Sequence, residues 1–191
     1  MEKVSEVKVW DLFVRFFHWM LVVGFFTAYL TEDDMLGPHV WAGYLVFSLV
    51  ILRIVWGVLG STHARFGDFV YGPGQVFHYV KQVITLRAQR YIGHNPAGGA
   101  MIVLLLMSLV VISLSGMVLY GAEYQTGLLG DIAAALGLTG EKDADALEEV
   151  HEFIANFTLV LVVIHVSGVL LENLLHGDNL VRSMFTRRKK A

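Results

Sequence analysis

Between Arg90 and Glu123 the chain runs through "YIGHNPAGGAMIVLLLMSLVVISLSGMVLYGA" without one acidic or basic side chain. No other feature restricts the fold so much. About 20 helical residues cross a hydrocarbon core of about 30 Å, and in lipid each backbone N–H and C=O must be satisfied within the helix itself. Three further stretches meet the same condition: Leu12–Thr31 carries only Arg15, His39–Ser61 only Arg53, and Phe153–Leu171 no formal charge. A composition of 55% hydrophobic and 16% charged residues, with a mean hydropathy of +0.60, is far from that of a water-soluble domain. The expected fold is all-α, an integral membrane four-helix bundle forming a single domain over residues 1–191. Its spans are placed at about 11–31, 39–60, 97–121 and 150–174. The first span exceeds a typical signal-peptide core, contains His18 and lacks a small-residue cleavage pattern, so it is expected to be retained.

Charge fixes the expected orientation. Of the 14 Lys and Arg residues, only Lys142 lies outside the N-terminal region, the connection that begins at Arg53, and the tail "VRSMFTRRKK". The other two connections are acidic, with Glu32, Asp33, Asp34, Glu123, Asp131, Glu141, Asp143, Asp145, Glu148 and Glu149. The positive-inside rule then puts both termini on the cytoplasmic side of the membrane and the acidic loops outside. Within the basic connection, Val76, Phe77, Val80, Val83 and Ile84 recur at helical spacing beside Lys81, Arg87 and Arg90. That pattern predicts an amphipathic interfacial helix over about 73–92. A short apolar piece, "GLLGDIAAALGL", lies in the outer connection as a candidate cap.

Cysteine is absent. Thiolate-held iron–sulfur clusters, covalently attached c-type haem and disulfides are thereby excluded, and any metal must rest on histidine. Of eight histidines, four fall in or at the edge of the spans: His18, His39, His151 and His165. Fourteen residues of helix separate His151 from His165, a rise of about 21 Å, and leave them about 40° apart around the axis, so both face one interior. His18 lies about 12 Å in from the cytoplasmic end of its helix, level with His165. His39 and His151 both open their helices at the outer surface. Two bis-histidine levels follow, stacked across the bilayer. Two axial imidazoles make a six-coordinate porphyrin iron, suited to electron transfer because no ligand position stays open. Zinc needs three or four protein ligands, and neither level offers them.

Two non-covalent b haems, His18 with His165 holding the inner iron and His39 with His151 the outer, bring carboxylate propionates that need cations. Arg53 follows His39 by fourteen residues and Arg15 precedes His18 by three, so both are candidate partners of the inner haem. The competing reading is that either arginine reaches the interface and answers lipid phosphate. At the start of the third span, His94 and Asn95 in "GHNPAGGAM" are candidates for a quinone headgroup, with His94 relaying protons; helix capping by Asn95 beside a surface histidine is the alternative. The glycines there leave room for a bulky group near the backbone. His63, His78 and His176 are expected on solvated or interfacial surface.

"VWDLFVRFFHW", "GPHVWAGYLVFSLVILRIVWGVLGS", "YIGHNPAGGAM" and "VHEFIANFTLVLVVIHVSG" resemble the bacterial di-haem cytochrome b561 superfamily, nearest the b-type cytochrome subunits of nickel–iron hydrogenases. The resemblance covers nearly the whole chain. It implies two b haems in a four-helix bundle with ligands from the first, second and fourth spans. It further implies a quinone site at Asn95, which matches an asparagine of related formate dehydrogenase membrane subunits. The outer loop over 122–149 is longer and more acidic than the resemblance leads one to expect, which leaves the outer partner open.

The expected function is transfer of electrons between the quinone pool and an outer redox protein: a hydrogenase, another dehydrogenase or a c-type cytochrome. No nucleic-acid partner is expected. An acidic outer face suits a basic protein partner. The rival is a self-contained enzyme oxidising superoxide and reducing quinone, but guiding an anion needs local positive charge, and Lys142 is the one cation among ten acids in the outer loops.

Overall fold

The structure is a computed structural model that describes residues 6–32, 34–138, 141–177, 179–186 and 188–190. Among the charges that set the expected orientation, Lys3, Asp33, Arg187 and the side chains of Lys8, Glu141 and residues 188–190 lie outside the described residues.

Four helices are long and apolar enough to cross a membrane: α1 (Leu12–Leu30), α2 (Leu36–Leu59), α5 (Pro96–Tyr124) and α7 (Glu141–His176). Between and after them come the shorter α3 (Phe66–Phe69), α4 (Pro73–Ile84), α6 (Gly130–Ala135) and α8 (Leu180–Thr186). Only 17–33% of each apolar window is buried within the chain. The rest of those leucines, valines and phenylalanines is outward-facing surface that lipid accommodates.

Local chemistry explains where the helices begin and end. Asp11 Oδ1 accepts a 2.7 Å hydrogen bond from the Val14 N–H, capping α1. Asn95 does the same for α5, its Oδ1 accepting from the Gly98 N–H at 2.7 Å, with Pro96 in the first turn, where its missing N–H costs nothing. The α4 helix stops at Ile84, short of the 73–92 expected: Thr85 Oγ1 donates back to the Lys81 carbonyl and Leu86 takes a left-handed φ of 55°. The α7 helix starts at Glu141 and contains the whole of the span expected over about 150–174; Asp143 and Asp145 near its start suit the positive end of the helix dipole. It is 36 residues long, about 54 Å at 1.5 Å per residue, which exceeds a hydrocarbon core.

The fold is not purely helical. Residues Glu6–Lys8 (β1) and Arg188–Lys190 (β2) pair antiparallel, with Val7 opposite Lys189.

The chain divides into two compact units, and each of the four long helices contributes a segment to both. The first unit comprises Met1–Met20, Ile51–Leu104 and Leu161–Ala191. Its core gathers Val9, Trp10, Val14 and Ala64, with Trp56 and Met184 packed against them. Asp11 ties this core together, its Oδ2 accepting from Trp56 Nε1 at 2.9 Å and from the Ser61 hydroxyl. Trp10 Nε1 donates to Ser183 Oγ at 3.0 Å, fastening α8 to the start of α1. Gly99 has to be glycine for a tertiary reason: a Cβ there would meet the Phe69 carbonyl oxygen at 2.1 Å.

The second unit comprises Leu21–Val50 and Leu105–Val160. Phe25, Ala42, Val46, Leu109, Met117, Ala155 and Leu49 are buried in it. Tyr29 donates its hydroxyl to Asn156 Oδ1 at 2.8 Å, linking α1 to α7.

Candidate functional site

In the second unit, α2 and α7 bring His39 and His151 together, with ring centroids 6.0 Å apart and planes at 76°. Two imidazoles bound on opposite faces of one metal at about 2 Å each place their centroids roughly 6 Å apart. The other ring nitrogen sets each tautomer. His39 Nδ1 lies 2.9 Å from the Ala28 carbonyl oxygen, which can only accept, so Nδ1 carries the hydrogen and Nε2 the lone pair. His151 Nδ1 lies 3.0 Å from Ser115 Oγ. Because that hydroxyl already donates to the Ile112 carbonyl at 3.0 Å, it accepts from His151. Both histidines therefore hold Nδ1–H against an oxygen and leave Nε2 free to bind metal, the arrangement that orients metal-ligating imidazoles.

The surroundings fit a flat apolar group between the rings. A cleft beside the pair is lined by the apolar side chains of Phe25, Val46, Ile112, Met117 and Ala155. Gly116 faces the His151 ring, where a Cβ would lie 2.7 Å from Cε1. Among the described residues no three His, Cys, Asp or Glu side chains gather to hold a bare metal ion.

In the first unit, α1 and α7 carry His18 and His165 within electrostatic reach of each other. His18 Nδ1 is buried without a hydrogen-bond partner among the described residues, and its ring stands edge-on to Trp19 at 5.1 Å. Arg53 is 3% exposed, donates from one guanidinium nitrogen to the Ala64 carbonyl at 3.0 Å, and lies over Phe66 and Phe69. Its other terminal nitrogen is buried with no hydrogen-bond partner among the described residues, which is the donor a propionate would use. Arg15 is engaged elsewhere. Its Nε donates to the Met184 carbonyl at 2.8 Å and its terminal nitrogen to that of Phe185, so it caps the last turn of α8.

His94 packs between Trp10 and Phe69, at 4.5 and 4.7 Å. Asn95 spends its Oδ1 on the α5 cap and retains its amide donors. His78 is exposed beside Gln82, and the His63 backbone N–H donates to Asp68. His176, expected on the surface, is instead half-buried next to Glu172, with its Nε2 atom buried. Ser115 and Glu172 were not picked out by sequence reasoning. Nothing in the sequence marks Ser115, whereas Glu172 announces itself by following His165 by seven residues, on the same helical face.

Apolar spanning helices that bring histidines together in pairs, with no cysteine in the chain, define a membrane-bound b-type cytochrome. The chain belongs to the prokaryotic cytochrome b561 family, whose model matches residues 9–187. It is similar to the probable Ni/Fe-hydrogenase B-type cytochrome subunit of Cupriavidus necator, at 25% identity over 96% of this chain and 86% of the relative. Proteins of the same description from Rhizobium leguminosarum bv. viciae and Azotobacter vinelandii are 22% and 24% identical, each over 95% of this chain and 88% of the relative. No solved structure matches the chain.

Proposed function

We propose that this protein carries electrons across the bacterial inner membrane through two non-covalent b haems, between the quinone pool and a redox protein on the outer surface. His18 and His165 hold the inner haem and His39 and His151 the outer, with Arg53 answering an inner propionate. Each haem, when bound, would supply a one-electron iron couple. Both termini face the cytoplasm, and His94 with the amide donors of Asn95 receives the quinone headgroup. The relatives named as hydrogenase subunits make a hydrogenase the first choice of partner.

The observation that carries this reading is the division of one continuous helix between two histidine pairs. The α7 helix contributes His151 beside His39 in one unit and His165 beside His18 in the other. A reduced-minus-oxidised spectrum with pyridine haemochrome quantification tests it. Two b haems per chain are expected; a chain that binds none ends the reading.

A further inference from the structure

A carboxylate is buried in the first unit near the His165 end of α7. Glu172 is 6% exposed, and an ionised group in such a place is costly unless it is paired or functional. Its company is specific. Tyr79, from α4, donates its hydroxyl to Glu172 Oε2 at 3.1 Å. His176, one turn further along α7, places Nε2 3.6 Å from Glu172 Oε1, and that nitrogen is buried without a hydrogen-bond partner among the described residues. Behind Tyr79 stands Tyr91, ring edge to face at 5.6 Å. Tyr79 also lines a polar cleft with Tyr71, Gln75, His78 and Gln82.

Seven residues of helix separate Glu172 from His165, which puts it about 20° around the axis and about 10 Å along it. A charge at that distance in a low-dielectric interior feels the charge of a metal held by His165. Such coupling is reciprocal: an added electron favours a nearby proton as much as the proton favours the electron.

We infer that Glu172 and His176 form a redox-linked proton site, which takes up one proton when iron at His18 and His165 is reduced and releases it on oxidation. The inference rests on the reading that those two histidines hold a haem. With a haem held there, one electron would come from a one-electron chemical reductant, which is oxidised in the same step. One proton passes from water in the cleft, by way of the Tyr79 hydroxyl, to the Glu172–His176 pair. On oxidation both leave, and no other bond changes. Burial, and then the adjacent Glu172 carboxylate, hold the Tyr79 hydroxyl well above the usual phenol range, so it remains a donor to that carboxylate.

The test is a spectroelectrochemical titration of the full-length, haem-loaded protein between about pH 5 and 8. In the wild type, the midpoint potential of one haem is expected to fall as pH rises, toward about 59 mV per pH unit where one proton accompanies one electron. That haem is identified as the one lost in His165→Ala. Glu172→Gln should flatten its slope and leave the other haem's potential unmoved. A flat wild-type profile, or an undiminished slope in Glu172→Gln, overturns the inference. Should Glu172→Gln lose its haem, Tyr79→Phe keeps the ring packing and removes one hydroxyl: a displaced onset of the slope supports the proton site and an identical profile overturns it. Failure of the underlying haem reading looks different, since wild-type protein would then show no b-type spectrum before any titration begins.

Discussion

His39 and His151 stand 6.0 Å apart, ring centroid to ring centroid, and their tautomers are set by different partners: a backbone carbonyl for His39 and a hydroxyl for His151. If each pair binds its own haem, single ligand changes must act on one haem at a time. His151→Ala is expected to halve the pyridine haemochrome yield and abolish the outer haem's redox step, while His165→Ala removes the inner one. Loss of both haems from either variant, in protein that still inserts and folds, would contradict separate sites.

Ser115 accepts the His151 Nδ1–H while donating to Ile112. Replacing the serine with alanine frees His151 to change tautomer and lowers the basicity of Nε2. Outer-shell partners of this kind are worth about 10–100-fold in metal affinity. Ser115→Ala should therefore raise the outer haem's midpoint potential and weaken its retention during washing, leaving the inner haem untouched. Ser115→Thr, which keeps the hydroxyl, should restore both.

Gly116 is packed so closely on the same ring that a Cβ would sit 2.7 Å from His151 Cε1. By propensity alone alanine would stabilise the α5 helix by about 1 kcal/mol over glycine. Gly116→Ala should keep or raise helicity in circular dichroism and yet lose outer haem, because the imidazole must move. An unchanged haem content would show that the ring has room to shift.

Much of this was legible in the sequence, and the part that was not has a physical reason. The four long helices follow from uncharged stretches, since lipid admits few alternatives for an unpaired backbone. The pairing of His39 with His151 followed from both opening a span at the same surface, which the uncharged stretches and the loop charges set without knowledge of packing. Spacing offers Arg15 a haem propionate or a lipid phosphate as partner; its bonds to the Met184 and Phe185 carbonyls depend on α8 folding back across about 170 residues, which no local pattern encodes. The end of α4 at Ile84 depends on the Thr85 and Leu86 backbone, which the apolar positions Val76 to Ile84, all within the helix, do not report. His176 reads as a tail residue until Glu172 beside it is seen to be buried.

Arg53 offers one buried guanidinium nitrogen with no protein acceptor among the described residues. Arg53→Gln should lower the potential of the inner haem, because a cation near a propionate stabilises the electron-rich reduced state. The measurement is the same spectroelectrochemical titration, at one pH. A potential equal to wild type would return Arg53 to a purely structural role, holding Ala64 and stacking on Phe66.

Asp11 supplies the pH dependence of the fold itself. Burial alone would raise its carboxyl, but hydrogen bonds from Ser61, the Val14 N–H and Trp56, with the Arg53 charge, outweigh it and hold the group below its ordinary 3.8. A carboxyl whose folded value is depressed stabilises the native state wherever it is ionised in both states. That contribution is complete above the unfolded value and fades as pH falls through the lower, folded one. Thermal stability of the detergent-solubilised protein should thus be insensitive to Asp11 ionisation at neutral pH and decline in the acid range below about pH 4. Asp11→Ala removes the α1 cap and the two hydrogen bonds to Oδ2 together, a loss of about 1–2 kcal/mol. The variant's melting temperature should lie below wild type at pH 7 and converge on it in acid, because the group deleted is the one that protonation silences. Parallel curves across the whole range would mean that Asp11 acts by shape alone.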